Sequence, residues 1–231
     1  MMTAQDDLQR YLFHLPAAFD IGAVFFFSVT GALVAVKRGY DLVGLFAMSF
    51  ISGLGGALIR DGLFLQDGPP ALTRDWRYLA AVLVGSVVGW VVGLRIERFQ
   101  RVIAVIDALG LGAYGVFGTC RALAIGLSYP AAVVVGVINA SGGGLLRDIL
   151  THEEPLLLKP GQLYVLASVL GCVTFILLTL HSQLTTQQAG WAAIVLTFCF
   201  RLLAIKYDWR TRPLREWRRP RSAVRSDPER R

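Results

Sequence analysis

The amino-acid sequence predicts an all-α polytopic membrane protein with seven transmembrane helices, arranged as two inverted three-helix repeats plus a seventh helix. Three observations predict it. The 231-residue chain is 55% hydrophobic and only 17% charged, and its apolar runs reach the roughly 18–20 residues needed to cross a bilayer. The stretch Leu54-Gly55-Gly56-Ala57-Leu58-Ile59-Arg60-Asp61 returns as Ser141-Gly142-Gly143-Gly144-Leu145-Leu146-Arg147-Asp148, 87 positions later and without a gap. Basic loops alternate with nearly neutral ones along the chain, as they do when successive loops lie on opposite sides of a membrane.

The spans follow in order. The first runs from about Ala17 to Val36 and stops at Lys37-Arg38. The second, about Val43 to Leu65, holds the first glycine pair and is closed by Gly68-Pro69-Pro70. The third is about Arg77 to Leu94, and Arg95, Arg98 and Arg101 follow it. The fourth is about Ala104 to Leu127. The fifth starts at Pro130, a residue suited to a first helical turn, and runs to about His152. The sixth covers about Gly161 to Leu180 and the seventh about Ala189 to Ile205. This divides the chain into an extracytoplasmic N-terminus (1–16), a first repeat (17–95), a cytoplasmic linker (96–103), a second, inverted repeat (104–181), the seventh helix (182–206) and a basic tail (207–231) whose composition suits disorder.

The loops after spans one, three and five carry Lys37 and Arg38, then Arg95, Arg98 and Arg101, then Lys159. The positive-inside rule places these loops and the tail in the cytoplasm and the N-terminus outside, in the cell (inner) membrane. The tail carries nine arginines against four acids, +5 of the net +7, which suits anionic lipid headgroups rather than nucleic acid. The N-terminus lacks the basic region of a cleavable signal peptide.

The repeat extends beyond the octapeptide. Residues 20–61 align with 107–148 with 11 of 42 positions identical, including two aspartates, an arginine and four glycines. After a one-residue slip, Tyr78, Ala81 and Gly85 match Tyr164, Ala167 and Gly171. Three spans per copy make the second copy enter the membrane from the opposite side, a plan common in transport proteins with a site near the midplane.

Glycine weakens a helix, and charge in hydrocarbon costs at least ~2.5 kcal/mol, so their joint duplication points to use. Both glycine clusters fall at the middle of their spans, and Arg60 lies roughly 9 Å beyond, at 1.5 Å per residue. Inversion puts Arg60 and Asp61 in the outer half and Arg147 and Asp148 in the inner half. Ser49, Ser52, Gly56 and Arg60 share one helix face, as do Gly136, Asn139, Gly143 and Arg147. These faces read as a polar path between spans two and five, the alternative being a close-packed seam of small residues. Asp20 and Asp107 open spans one and four, where they serve as first-turn acids or line a vestibule. Arg121 is placed to pair with an aspartate or reach an interface, and Thr30 and Thr119 to bond back to their own helix. Lys37, Arg38 and Lys159 set topology or touch lipid.

No covalent chemistry is indicated. The chain has no HExxH, no Gly-x-Ser-x-Gly and no Walker ending. Its three cysteines lie apart in apolar runs, and His14, His152 and His181 are scattered. No cofactor, no metal site and no enzyme activity are expected.

The duplicated Gly-Gly/Gly-Gly-Gly before Arg-Asp, in two inverted three-span repeats with a seventh helix, resembles the prokaryotic trimeric intracellular cation channel (TRIC) family, a domain also labelled a glycine transporter. The resemblance covers about Phe19 to Tyr207. It implies a homotrimer with one pore per protomer, permeable to K⁺ and other monovalent cations such as Na⁺. It implies that spans two and five are kinked at Gly55-Gly56 and Gly142-Gly143-Gly144 and line that pore. Animal members carry a lysine-containing motif in the second span and bind phosphoinositide there; this chain has Arg60-Asp61 instead. On this reading Asp61, Asp148, Ser49, Ser52, Asn139, Ser141 and glycine carbonyls face the ion, while Arg60 and Arg147 hold a carboxylate or act in a gate. The rival from another class is a secondary transporter of a small neutral amino acid such as glycine, with an arginine on the substrate carboxylate.

Overall fold

The computed structural model describes residues 15–95, 99–158 and 163–209. Seven helices among them are long and apolar enough to cross a membrane. They are α1 (Ala18–Arg38), α2 (Leu42–Ile59), α3 (Trp76–Gly93), α4 (Phe99–Ala124), α5 (Tyr129–Leu150), α6 (Tyr164–His181) and α7 (Thr186–Lys206). No strand occurs among the described residues, and the protein is a multi-pass membrane protein.

Local chemistry sets the ends. Gly39 closes α1 in the left-handed conformation, φ 71°, with its N–H on the carbonyls of Ala35 and Val36. Asp41 caps α2 by accepting from Gly44 N at 2.8 Å, and Asp75 caps α3 by accepting from Arg77 N at 2.9 Å. Hydrogen bonding from the Arg77 side chain holds the Asp75 carboxyl below the usual carboxylate range. Pro130 sits in the first turn of α5, and Thr185 with Gln188 forms a capping box on α7. The fourth helix begins at Phe99, so the expected 96–103 linker is largely helix, and Asp107 lies in the third turn rather than the first. Residues 96–98, Lys159 and 210–231 lie outside the described residues.

The two repeats pack as inverted halves with corresponding helix contacts. Helices α1 and α4 form the buried centre, α2 meets α5, and α3 and α6 flank their own repeats. Helix α7 covers α4 and α6. Phe27 and Tyr114, repeat-related residues of α1 and α4, stack on each other with ring centroids 5.3 Å apart. The outer faces are apolar, as lipid contact requires. Exposed aromatics sit at the helix ends, with Trp76, Tyr129 and Trp191 at one side and Tyr40, Trp90, Tyr207 and Trp209 at the other, in the manner of interfacial belts.

The expectation of glycine-broken helices is corrected. Helix α2 runs unbroken through Gly55-Gly56 to Ile59, and α5 runs through Gly142-Gly143-Gly144 to Leu150. The glycines act by size. A Cβ on Gly142 would stand 3.0 Å from Gly56 Cα, and one on Gly55 would stand 3.4 Å from Gly143 Cα. On Gly56 it would strike the Asn139 carbonyl, and on Gly143 the Ser52 carbonyl. The centre of α2–α5 is therefore the close-packed seam, not an open polar path. The irregular backbone comes just beyond, where Arg60–Leu65 forms a π-helical turn and Gln66 N donates to Asp61 O, five residues back, at 3.0 Å.

Candidate functional site: two buried charge clusters

At each end of the glycine seam an arginine is buried against carboxylates. In the first repeat Arg60 is 1% exposed. Its Nη1 and Nη2 donate to Asp20 Oδ1 and Oδ2 at 2.9 and 3.1 Å, and its Nε donates to Asp61 Oδ1 at 2.7 Å. The Tyr78 hydroxyl donates to Asp20 Oδ2 at 2.8 Å. The ring of Phe117 covers the guanidinium, 5.2 Å from Cζ to centroid. The bidentate fork, a second carboxylate and a π face hold this arginine in one orientation.

The second cluster has the same residues at the repeat offset but a looser geometry. Arg147 donates from Nε to Asp148 Oδ1 at 3.0 Å and from Nη1 to Thr30 Oγ1 at 3.0 Å. Asp107 Oδ1 stands 3.5 Å from Arg147 Nη1, without the two-pronged fork that joins Arg60 to Asp20. Tyr164, the counterpart of Tyr78, is buried beside it, and Arg201 of α7 lies over the Tyr164 ring at 5.0 Å. Thr30 and Phe117 are repeat-related too: each faces the arginine of the other repeat.

Asp61 and Asp148 are not open to an ion here. Each uses one oxygen on its arginine and the other on a loop: Asp61 Oδ2 accepts from Ala71 N at 3.0 Å, and Asp148 Oδ2 from Leu156 N at 3.1 Å. They latch the loops that follow α2 and α5. Asp148→Asn is therefore expected to lower stability by about 1.5–3 kcal/mol, the worth of a charge-assisted hydrogen bond, with cation preference unchanged. Thermal unfolding and reversal potentials of the same preparation check this. Asp61→Asn should cost about as much in stability.

The other expected site residues divide. Asp20 and Asp107 are cluster partners of the arginines, not helix caps. Ser49 and Ser52 are buried with no hydroxyl partner among the described residues, and the Ser52 hydroxyl faces Gly31 of α1, not α5. Asn139 donates from Nδ2 to Tyr114 O at 2.7 Å, and the Tyr114 hydroxyl donates to Gly53 O. Ser141 and Thr30 bond back to Val137 O and Phe27 O, whereas Thr119 makes no such bond to its own helix. Tyr78, Tyr164, Tyr114, Phe117 and Arg201 had no assigned role in the sequence reading; the 86-residue spacing of the two tyrosines was the available signal.

A cavity of about 280 Å³ leads from the α2–α3 loop to the first cluster, lined by Asp20, Arg60, Asp61, Tyr78, Phe117 and Arg121 among others. Arg121 reaches Asp67 of that loop at 3.8 Å. On the opposite side a smaller cavity of about 50 Å³ touches Arg147, Asp148, Lys37 and Glu153. There Arg38 Nη2 donates to Glu153 Oε1 and Thr151 O, both at 2.8 Å, and Lys37 lies 3.8 Å from Glu153. Lys37 and Arg38 thus tie α1 to the α5–α6 loop, in addition to any lipid contact. Between the clusters the space is filled by the Phe27–Tyr114 stack and the glycine seam.

Comparison with known proteins agrees with this architecture. A family model described as Glycine transporter matches residues 17–93 and 104–179, the two repeats. The "UPF0126 membrane protein" of Deinococcus radiodurans is 34% identical over 178 residues, covering 77% of this chain and 82% of that protein. The crystal structure of the "TRIC trimeric intracellular cation channel orthologue from Rhodobacter sphaeroides" is similar with a TM-score of 0.77 at 31% identity, over 82% of this chain and 96% of that one. A prokaryotic TRIC channel crystallised in 0.5 M KCl is similar with a TM-score of 0.75 at 26% identity, over 82% and 94%.

Proposed function

The chain belongs to the family described as Glycine transporter, whose fold it shares with prokaryotic TRIC channels, and from that premise we propose that it is a monovalent cation channel. K⁺ is the main ion and Na⁺ a second one. The path runs within each protomer of a homotrimer, along the axis between α1, α2, α4 and α5 that the two clusters, the glycine seam and the Phe27–Tyr114 stack close in this structure. The N-terminus lies outside and the C-terminus in the cytoplasm of the inner membrane.

The observation that carries this reading is the pair of inverted charge clusters closing one axis from opposite sides, with a vestibule ending on the first. The wall of that vestibule carries four carboxylates (Asp20, Asp61, Asp67, Asp75) and three guanidinium groups (Arg60, Arg74, Arg121), a balance that favours a cation. A hydrated ion needs no dedicated cage, and a path with few fixed charges gives weak selection among monovalent cations. A substrate carboxylate would need an arginine edge, and Arg60 has given its Nη groups to Asp20 and its Nε to Asp61.

Proteoliposomes loaded with KCl and diluted into choline chloride test the reading. The expected result is K⁺ efflux well above that of protein-free vesicles, with no saturable uptake of labelled glycine. Vesicles that hold their K⁺ gradient while accumulating glycine would favour the transporter.

A further inference from the structure

The two clusters share their repeat-related residues but not their charge balance. The first has two carboxylates, Asp20 and Asp61, and one guanidinium, Arg60, which leaves one net negative charge. The second has Asp107, Asp148 and Arg147 at the corresponding positions. There a second guanidinium enters from α7, the helix outside both repeats. Arg201 is 1% exposed, and its Cζ stands 5.0 Å from the centroid of the Tyr164 ring. The Tyr164 hydroxyl donates to Asp107, so one tyrosine links the carboxylate to the α7 cation. With Arg201 counted, the second cluster is neutral. Solvent access differs in step. Asp20 lines the cavity of about 280 Å³, whereas Asp107 lines neither that cavity nor the smaller one on its own side. The space beside Gly144 and Tyr164 has no volume for a water molecule. A buried charge needs either water or a counter-charge, and at Asp107 only the second is at hand.

We propose that Arg201 is the counter-charge of Asp107, a positioning residue on α7 that neutralises the second cluster through Tyr164. Its charge matters and not only its shape. The consequence for ion passage rests on the channel reading. The path then has one negative end, at the vestibule, and one neutral end. A cation is drawn to the first and meets no comparable well at the second, so flow in the two directions is unequal.

Thermal unfolding of the full-length detergent-purified protein tests the counter-charge. Arg201→Met removes the charge from a long side chain and should lower the midpoint by about 4–8 °C. Arg201→Lys should lose less than half as much. Asp107→Asn leaves the cluster one charge positive and should also destabilise. Combined with Arg201→Met it restores neutrality and should recover at least half of the Arg201→Met loss; Asp20→Asn in its place should recover nothing. If Arg201→Met does not fold, the Arg201→Met/Asp107→Asn protein should. An Arg201→Met midpoint equal to wild type, equal losses for the Met and Lys variants, or a double variant no better than Arg201→Met overturns the assignment. In symmetric KCl the wild type should pass unequal currents at equal and opposite voltages, and Arg201→Met should bring their ratio closer to one. A wild-type ratio of one, or a ratio unmoved in Arg201→Met, overturns the unlike ends. A silent bilayer fails the channel reading alone, because the unfolding cycle stands without it.

Discussion

Arg60→Ala should be among the most damaging single changes in the protein, at about 3–5 kcal/mol, because it leaves the Asp20 carboxylate charged, buried and without its fork. Asp20 is 0% exposed and sits 2.9 Å from Arg60 Nη1. For a chain of this size the loss amounts to roughly 10 °C in the unfolding midpoint. Asp20→Asn added to Arg60→Ala should recover part of it, since no lone charge then remains; a double-mutant cycle reads the coupling. Arg147→Ala should cost less, because Arg147 makes no hydrogen bond to Asp107. Equal midpoints for wild type and Arg60→Ala would refute this account of the Asp20–Arg60 pair.

The second large effect is at the glycine seam. Gly143→Val drives a side chain into the Ser52 carbonyl of α2. The obstacle is backbone, which cannot rotate away, so the cost should exceed the usual 1–3 kcal/mol of overpacking. The expected result is loss of the monodisperse peak on size-exclusion chromatography. Gly22→Ala is the control, because nothing lies within 4 Å of a Cβ at that position, and it should elute as wild type. A folded Gly143→Val protein would show that α2 and α5 stand further apart.

Much of this was legible from residue pattern alone. Seven apolar runs and a gapless 87-residue offset specify the helices, their inversion and the pairing of Arg60 with Arg147. The repeat also marked Asp20 and Asp107, but sequence distance hid their partners: Asp20 meets Arg60 across 40 positions, and Thr30 meets Arg147 across 117. Read locally, an acid near a helix start looks like a cap. The glycines were ambiguous for a physical reason, since the same residue suits a break and a close approach. Only the opposing backbone at Asn139 and Ser52 decides for approach. Asp61 and Asp148 looked ion-facing because the loop N–H groups of Ala71 and Leu156 that they bind carry no sequence mark.

Single-channel recording tests the central claim most directly. The purified protein is fused into a planar bilayer under a KCl gradient. The account predicts discrete current steps that reverse near the K⁺ equilibrium potential, with Na⁺ carrying a smaller current. A silent bilayer, from a preparation that takes up labelled glycine into liposomes, would contradict it and make the two arginines substrate ligands.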